Sequence, residues 1–382
     1  MSEPDDDEID AILPDDQQEN EEDLEGGGIS YKEVVVMNAD WTIETINNQV
    51  NKGNIDLDPG FQRRAAWDDV RRSRLMESIL VGLPIPNIVL AENRENRGRF
   101  IVIDGKQRLL TINEFMANQV ILKGLDLRPD LNGRNFESLD ASDKEYLENN
   151  TLRATVIRNW TDENFLFTMF FRLNSGSLPL SPQELRKALI GGKLINAVEN
   201  YISTSVAFHE VFGVVPDKRM RDSELVLRFI AFDRGYESYS GNLKQFLDIT
   251  TRFYESNWEQ QHSDLKQRFC RLDRALICAH TIFEDNVFKK WLGDGYERRI
   301  NRAIFDCITR FFADEAISDE AIKQAPHIRH AYKEICQDQN FRDAIERTTK
   351  SQSATRNRID LWGKALGRVL DKDYDTMHAR LE

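Results

Sequence analysis

The stretch from Arg99 to Leu110 holds the residues with the clearest chemical potential in this chain. Its sequence is RFIVIDGKQRLL. The apolar run predicts a strand, the glycine a tight turn, and the spacing that follows a helix. The first amides of a helix lack intrahelical acceptors, and their partial positive charge favours an anion. The turn at residues 104–108 is therefore predicted to face a phosphate.

The side chains of this turn suit the same ligand. Gly105 would let the backbone approach a ligand without a Cβ between them. Lys106 and Arg108 add cationic donors, and arginine binds phosphate in a bidentate manner. Asp104 could coordinate Mg²⁺ bound to phosphates or orient a water molecule. The same residues also fit a plain helix cap beside surface cations, and the pentapeptide alone does not decide between the two.

The elements that would position the turn follow from hydrophobic periodicity. Asp68 is predicted to cap a helix that ends near Gly82, and Ser181 to cap another. Strands are predicted over 29–37, 55–57, 87–91, 100–103 and 152–157, and helices over 41–50, 107–116, 162–173 and 182–190. After residue 192 only helices are predicted, over 194–202, 222–232, 242–254, 265–283, 296–312, 319–324 and 360–370. The fold class is therefore α+β, with a mixed α/β domain (29–192) followed by an all-α domain (193–382).

Charge is distributed unevenly along the chain. The net charge is −14, and residues 1–27 hold thirteen acidic and no basic residues, so the remainder is close to neutral. Residues 1–28 are predicted to be a disordered acidic tail. The tail either only aids solubility, or competes with nucleic acid for a basic groove or docks on a basic partner. Basic clusters near Arg302 and Arg358 fit either phosphate contact or a solvated helix face.

Composition also bounds the location of the protein. No apolar run reaches the length of about 18–20 residues that spans a bilayer, and no secretory signal precedes the acidic tail. A cytoplasmic protein without a membrane segment is expected. The four cysteines have no CxxC spacing and are expected to be free thiols.

Four further motifs, before and after the turn in the sequence, indicate the family that the chain resembles. They are FQRR at 61–64, SILVGLPIP at 78–86, FRLNSG at 171–176 and LSPQELR at 180–186. In this order, around the turn, they resemble the N-terminal domain of GmrSD-type modification-dependent restriction enzymes. The usual turn of that family is Asp-Gly-Gln-Gln-Arg, on a fold similar to ParB and sulfiredoxin. The resemblance covers roughly residues 29–192 and implies a ParB/sulfiredoxin-like domain.

The resemblance implies a domain that binds nucleoside triphosphates, hydrolyses them in some members, and controls a DNA-cutting partner. Carried over by motif, Asp104, Gln107 and Arg108 would be catalytic. The nucleotide would also be held by Gln62, Arg63, Gly105, Lys106 and Asn174, with Mg²⁺ at Asp104. The implied function is an NTP-binding sensor of a bacterial anti-phage or DNA restriction system. Its implied partners are a nucleoside triphosphate, DNA and an effector or nuclease subunit; the oligomeric state is not predicted.

Two departures from the family keep other functions open. Lys106 stands where glutamine is usual, which removes an acceptor and adds charge, so it would either tighten phosphate binding or impair hydrolysis. No HNH nuclease pattern is present, and His327 with His330 is the best pair of potential metal ligands. Whether the chain is an NTPase therefore stays open. The alternatives are a DNA-binding module without hydrolysis, a metal-dependent nuclease that uses Asp104, and a scaffold for protein partners.

Overall fold

The computed structural model describes residues 33–57, 67–161, 163–173, 181–190, 192–213, 217, 220–347 and 349–382. The chain forms two compact units, of which the first ends at Leu189 and the second begins at Ile190. The predicted acidic tail, residues 1–28, lies outside the described residues. Among the helices of the described part, none is long and apolar enough to cross a membrane.

The first unit is built on one mixed sheet of five strands. The strands are β1 (Val35–Thr42), β2 (Ile55–Asp56), β3 (Ile88–Glu92), β4 (Phe100–Asp104) and β5 (Thr151–Arg158). Their spatial order is β1-β5-β3-β4-β2. The β1–β5 and β3–β4 pairs are antiparallel, whereas β3–β5 and β2–β4 are parallel. The central strands β3 and β4 are thus hydrogen-bonded on both sides.

Helices cover both faces of this sheet. They are α1 (Ile43–Asn51), α2 (Asp69–Leu80), α3 (Lys106–Met116), α4 (Ala141–Asn149), α5 (Glu163–Leu173) and α6 (Pro182–Ile190). One hydrophobic core lies between the sheet and α1–α4, and a second lies between the opposite face and α5–α6. Strands buried on both faces read as continuous apolar runs, which explains the sequences IVLAE and FIVID of β3 and β4.

Hydrophobic periodicity predicted most of these elements, and the structure differs at the end of β1 and at α4. Asp68 caps α2 as predicted, because its carboxylate accepts from the Arg71 amide at 2.7 Å. The first strand, however, extends to Thr42, and Trp41 pairs with Leu152 instead of opening a helix. The Thr42 hydroxyl then caps α1 by accepting from the Thr45 amide at 3.1 Å. Helix α4 was not predicted.

The second unit is mostly helical. Its helices are α7 (Lys193–Thr204), α8 (Val206–Phe212), α9 (Arg221–Gly235), α10 (Leu243–Ser256), α11 (Trp258–Phe283), α12 (Arg302–Phe312), α13 (Glu315–Lys323), α14 (Ala325–Ile335), α15 (Gln339–Glu346) and α16 (Gln352–Leu370). The longest, α11, packs against α8, α12, α13 and α14. Helix α9 is buried along most of its length, and its charged side chains are buried with it. This helix therefore lies in the interior of the unit.

The prediction of an all-α second domain was wrong in detail. Two small antiparallel hairpins are present, β6 (Lys289–Trp291) with β7 (Tyr296–Ile300), and β8 (Tyr374–Asp375) with β9 (Arg380–Leu381). The helix predicted from Tyr296 begins at Arg302, because the Asn301 side chain accepts from the amides of Ala303 and Ile304. Tyr296 instead packs edge-on against Trp291 across the hairpin. The mixed α/β first unit and the mostly helical second unit confirm the coarse fold class.

Candidate functional site

The turn between β4 and α3 has the geometry of an open helix N-terminus. Strand β4 ends at Asp104, Gly105 adopts the left-handed conformation (φ 95°, ψ 11°), and α3 begins at Lys106. The Leu109 amide donates to the Gly105 carbonyl at 3.0 Å, which closes the first helical turn. Gly105, the N-cap residue, has no side chain with which to cap this helix. The amides of Gln107 and Arg108 have no hydrogen-bond partner among the described residues, which leaves them able to bind an anion.

Arg108 is buried behind the turn and held in one position. Its side chain is 9% exposed, and its Nη2 donates to Asp104 Oδ2 at 2.8 Å and to the Asn87 carbonyl at 3.0 Å. Its Nε atom is buried and makes no hydrogen bond to any described residue. Asp104 is 22% exposed, and its Oδ1 has no hydrogen-bond partner in the described part of the chain. Arg108 Nη2 is thus held by two bonds, whereas Arg108 Nε and Asp104 Oδ1 have no hydrogen-bond partner among the described residues.

Gly105 is required by the packing of the turn. A Cβ at this position would lie 2.5 Å from Ile88 Cγ2 and 3.1 Å from Arg108 Nη2, and the φ of 95° is one that L-residues rarely adopt. The space that the missing Cβ leaves is therefore filled by the protein itself. Glycine thus permits close packing of the turn on β3, and the approach of a ligand to its backbone stays a prediction.

Lys106 and Gln107 are both half-buried at the first positions of α3. The Gln107 carbonyl accepts from the Thr111 hydroxyl at 2.8 Å, whereas its side-chain amide has no hydrogen-bond partner among the described residues. The Gln107 amide therefore remains able to bind a ligand or a water molecule.

The other predicted site residues lie outside the described residues. Gln62 and Arg63 fall in 58–66, and Asn174 falls in 174–180. The described chain stops at Leu57, just after β2, which pairs with β4, and at Leu173, the end of α5, which packs on β4. The structure thus brings Asp104, Gly105, Lys106, Gln107 and Arg108 together and says nothing of the remaining three.

Helix α6 carries buried polar residues whose burial the sequence did not reveal. Ser181 and Glu184 form a reciprocal capping box: the Ser181 amide donates to Glu184 Oε2 at 2.5 Å, and the Glu184 amide donates to Ser181 Oγ at 3.2 Å. Arg186 is fully buried, and its Nη1 donates to Gln183 Oε1 at 2.6 Å. Charged residues are rarely buried unless they are paired. The Ser-x-x-Glu spacing within LSPQELR was the available signal for the capping box.

The two histidines predicted as potential metal ligands, His327 and His330, both lie on α14. No group of three His, Cys, Asp or Glu side chains suited to a metal occurs within the described ranges. His327 Nδ1 lies 3.0 Å from Gln324 Oε1, and His330 Nε2 lies 3.5 Å from Glu334 Oε1, both on the exposed side of α14.

The basic residues Arg302 and Arg358 are not on a surface. Both are at most 1% exposed, in the interior of the second unit. Arg358 Nη2 lies 3.3 Å from Asp306 Oδ2, and Arg302 Nη1 lies 3.7 Å from Glu224 Oε1. These two residues therefore neither contact phosphate nor lie on a solvated helix face, because they are buried and their charges are offset by buried carboxylates.

Comparison with known families assigns the first unit. Residues 43–191 match the family described as GmrSD restriction endonuclease, N-terminal domain. This segment is a GmrSD-type N-terminal domain. The resemblance predicted from the motifs is thereby confirmed, and the match points to a protein of a restriction system. No curated protein and no solved structure matched the chain. The GmrSD-type domain contains the Asp104–Arg108 turn, whereas the second unit lies beyond the matched segment apart from its first residues.

Proposed function

We propose that the GmrSD-type domain binds the phosphates of a nucleoside triphosphate at the N-terminus of α3 and thereby controls a DNA-cutting partner in a bacterial restriction or anti-phage system. The observation that carries this proposal is the uncapped start of α3 directly after Gly105. The likeness to ParB and sulfiredoxin belongs to the same proposal and is supported by the order of the motifs.

The residues of the turn would have different roles in binding the phosphates. Phosphate oxygens would accept from the first amides of α3, where the helix dipole favours negative charge. Arg108 would offer its guanidinium to the phosphates, and Asp104 would act as its positioning residue, since the 2.8 Å bond holds the two together. The bonds to Asp104 and the Asn87 carbonyl already hold this arginine in place, which lowers the entropic cost of forming the complex.

Two residues would decide whether the bound nucleotide is hydrolysed. The unused amide of Gln107 would orient the attacking water, because it supplies both a donor and an acceptor. Lys106 supplies donors only, so it would favour phosphate binding over water activation. Asp104 is the residue that would hold Mg²⁺, through its unused Oδ1. Such an ion would neutralise phosphate charge, and magnesium sites commonly rely on one or two carboxylates plus the phosphates.

The test uses calorimetry and phosphate release on the full chain with each of the four ribonucleoside triphosphates and Mg²⁺. The double variant Asp104→Ala/Arg108→Ala should bind at least about tenfold more weakly, as expected for the loss of a charge-assisted contact. Gln107→Ala should keep binding and lose phosphate release. Lys106→Gln should raise phosphate release if lysine impairs hydrolysis. Lys266→Gln, an exposed change on α11, is the matched control and should alter neither quantity.

A measurement of DNA binding distinguishes this proposal from the alternative that the chain is a DNA-binding module without hydrolysis. If the turn contacts DNA backbone phosphates instead, duplex affinity will fall steeply with salt and free nucleotide will not change it. If the wild-type chain binds none of the four nucleotides, the proposed function is wrong.

A further inference from the structure

A concave surface lies at the opposite end of strand β4 from the turn. It is a cleft of about 680 Å³, lined by the start of β1, the loop between β3 and β4, and the residues that follow β5. Glu92, at this end, pairs with Phe100, whereas Asp104 pairs with Val89 near the other end of β3. Four residues of strand separate the two places, or about 13 Å. The cleft is therefore distinct from the proposed nucleotide site.

The loop that forms one wall of the cleft is well ordered by its own hydrogen bonds. Asn93 Oδ1 accepts from the amides of Glu95 and Asn96, and the Asn93 amide donates to the Arg99 carbonyl at 2.7 Å. Glu92 Oε1 accepts from the Gly98 amide at 3.0 Å. These bonds fix the positions from which the side chains of Arg94 and Arg97 extend.

The cleft has unpaired positive charge on its rim. Glu92 Oε2 lies 3.5 Å from Arg158 Nε, so this acid offsets that arginine. The guanidinium of Arg94 lies 5.5 Å from the ring centre of Trp160, whose Nε1 donates to the Glu92 carbonyl. Arg94 and Arg97 are exposed and form no ion pair with any residue in the described ranges. Two cations are thus available to an acidic partner.

The wall opposite the loop is apolar. Val35 and Met37 line the cleft and are 42% and 45% exposed. They share one face of β1, because side chains of a strand alternate, while Val36 points to the other face. A ligand that fits this cleft combines apolar side chains with negative charge.

The chain itself contains a segment with this composition, a short distance before β1 in the sequence. Residues 5–16 read DDDEIDAILPDD, with seven acidic residues around Ile9, Ile12 and Leu13. Glu33 and Val35, the first residues that line the cleft, follow this segment by fewer than twenty positions. A random coil of that length would have a root-mean-square span of about 20–25 Å, which is enough to reach back to the cleft and short enough for a high effective concentration.

We propose that residues 5–16 dock in this cleft of the same chain. Their carboxylates would pair with Arg94 and Arg97, and the apolar side chains of Ile12 and Leu13 would cover Val35 and Met37. High salt or a more acidic competitor would then displace residues 5–16 from the cleft. This inference is independent of the proposed nucleotide site.

The test measures competition between the tethered segment and a free copy of it. A fluorescein-labelled peptide of residues 1–27 is titrated, by fluorescence anisotropy at low ionic strength, with two full-length chains. One chain is wild type, and in the other the seven acids of 5–16 are changed to the corresponding amides. The peptide should bind the amide variant at least about tenfold more tightly, because the cleft of the wild type is already occupied.

Changes in the cleft and in the peptide locate the contact. In the amide variant, Arg94→Ser/Arg97→Ser and Met37→Ser should each weaken peptide binding severalfold. Val36→Ser, on the other face of β1, is the matched control and should leave binding unchanged. A peptide with Ile12→Ser and Leu13→Ser keeps its charge and should bind more weakly.

Three results would overturn the proposal. The first is equal peptide affinity for wild type and amide variant, since it means that the tail does not occupy the cleft. The second is peptide affinity insensitive to the arginine or apolar changes. The third is binding of a single-stranded oligonucleotide of matched charge that requires Arg94 and Arg97 while the peptide does not bind; the cleft would then be a nucleic-acid site.

Discussion

The two units use the same pair of residue types, arginine and aspartate, in opposite ways. In the first unit Arg108 contacts Asp104 through one nitrogen, and the aspartate is 22% exposed. In the second unit Arg228 binds Asp306 through both Nε and Nη2, and the aspartate is 1% exposed. The first pair retains an unused oxygen on Asp104, whereas the second pair is enclosed.

The two pairs differ in solvent exposure: the Asp104–Arg108 pair is partly exposed, whereas the Arg228–Asp306 pair is buried in the second unit. Asp306 also contacts Arg358, and Glu224 lies 3.7 Å from both Arg228 and Arg302, so three arginines share two carboxylates in the interior. Burial raises the cost of any missing partner. In the described part of the chain, by contrast, Asp104 Oδ1 has no hydrogen-bond partner, and the Asp104 side chain is partly exposed.

The largest effect is expected from removing the enclosed carboxylate. Asp306→Ala leaves Arg228 and Arg358 buried without their main counter-charge and should lower the free energy of unfolding of the second unit by about 3–5 kcal/mol. Hydrogen exchange of peptides from α9 measures this unit alone. Asp343→Ala on α15, half exposed, is the control and should cost little. A loss below about 1 kcal/mol for Asp306→Ala would show that the network is not essential to the fold.

Gly105→Ala should be the most costly change at the turn itself. The new Cβ meets Ile88 Cγ2 at 2.5 Å and forces alanine into a left-handed conformation, so the first unit should lose about 2–3 kcal/mol. The double variant with Ile88→Ala isolates the steric part by a double-mutant cycle. If Gly105→Ala is neutral in urea unfolding, the packing described for this turn is incorrect.

Asp104→Ala should cost less than Asp306→Ala in the same assay. It removes one partner of a partly exposed pair, and Arg108 keeps the Asn87 carbonyl, so we expect about 1–2 kcal/mol. Exchange of peptides from α3 reports this loss. The comparison between the units fails if Asp104→Ala is as destabilising as Asp306→Ala.

The smallest effect concerns the thiols and tests how tightly the second unit is closed. Burial raises the pKa of Cys278 and Cys307 to about 12, whereas Cys270 is exposed. At neutral pH iodoacetamide should therefore label Cys270 alone in the native chain, because the thiolate is the reacting form. Mass spectrometry locates the adduct. Rapid labelling of Cys307 would show that the interior around Asp306 opens readily.

Sequence patterns anticipated the parts of the fold where local signals agree. Helix α6 occupies the predicted residues 182–190, because a serine cap, a proline and helical spacing coincide there. Strands β3 and β4 were found within one residue, because both are continuous apolar runs. The β6–β7 hairpin was missed, since its short strands are half-exposed and polar, and nothing local in YERRI indicates the strand with which it pairs.

The residues of the candidate turn could be named from the sequence, whereas their spatial arrangement could not. Gly-Lys after an apolar strand indicates a turn before a helix, which is local information. That Arg108 folds back onto Asp104 and the Asn87 carbonyl depends on the β3–β4 pairing, which is a long-range property. The burial of Arg302 and Arg358 has the same origin, because a basic cluster in sequence does not indicate the carboxylates that surround it in space.

The most direct test of the central claim is hydrogen exchange at the start of α3 with and without a saturating nucleoside triphosphate. The account predicts slower exchange in peptides that contain residues 105–109, and no change in the enclosed helix α9. Unchanged exchange at the start of α3 while a nucleotide is bound would place the nucleotide elsewhere and contradict the assignment of this turn.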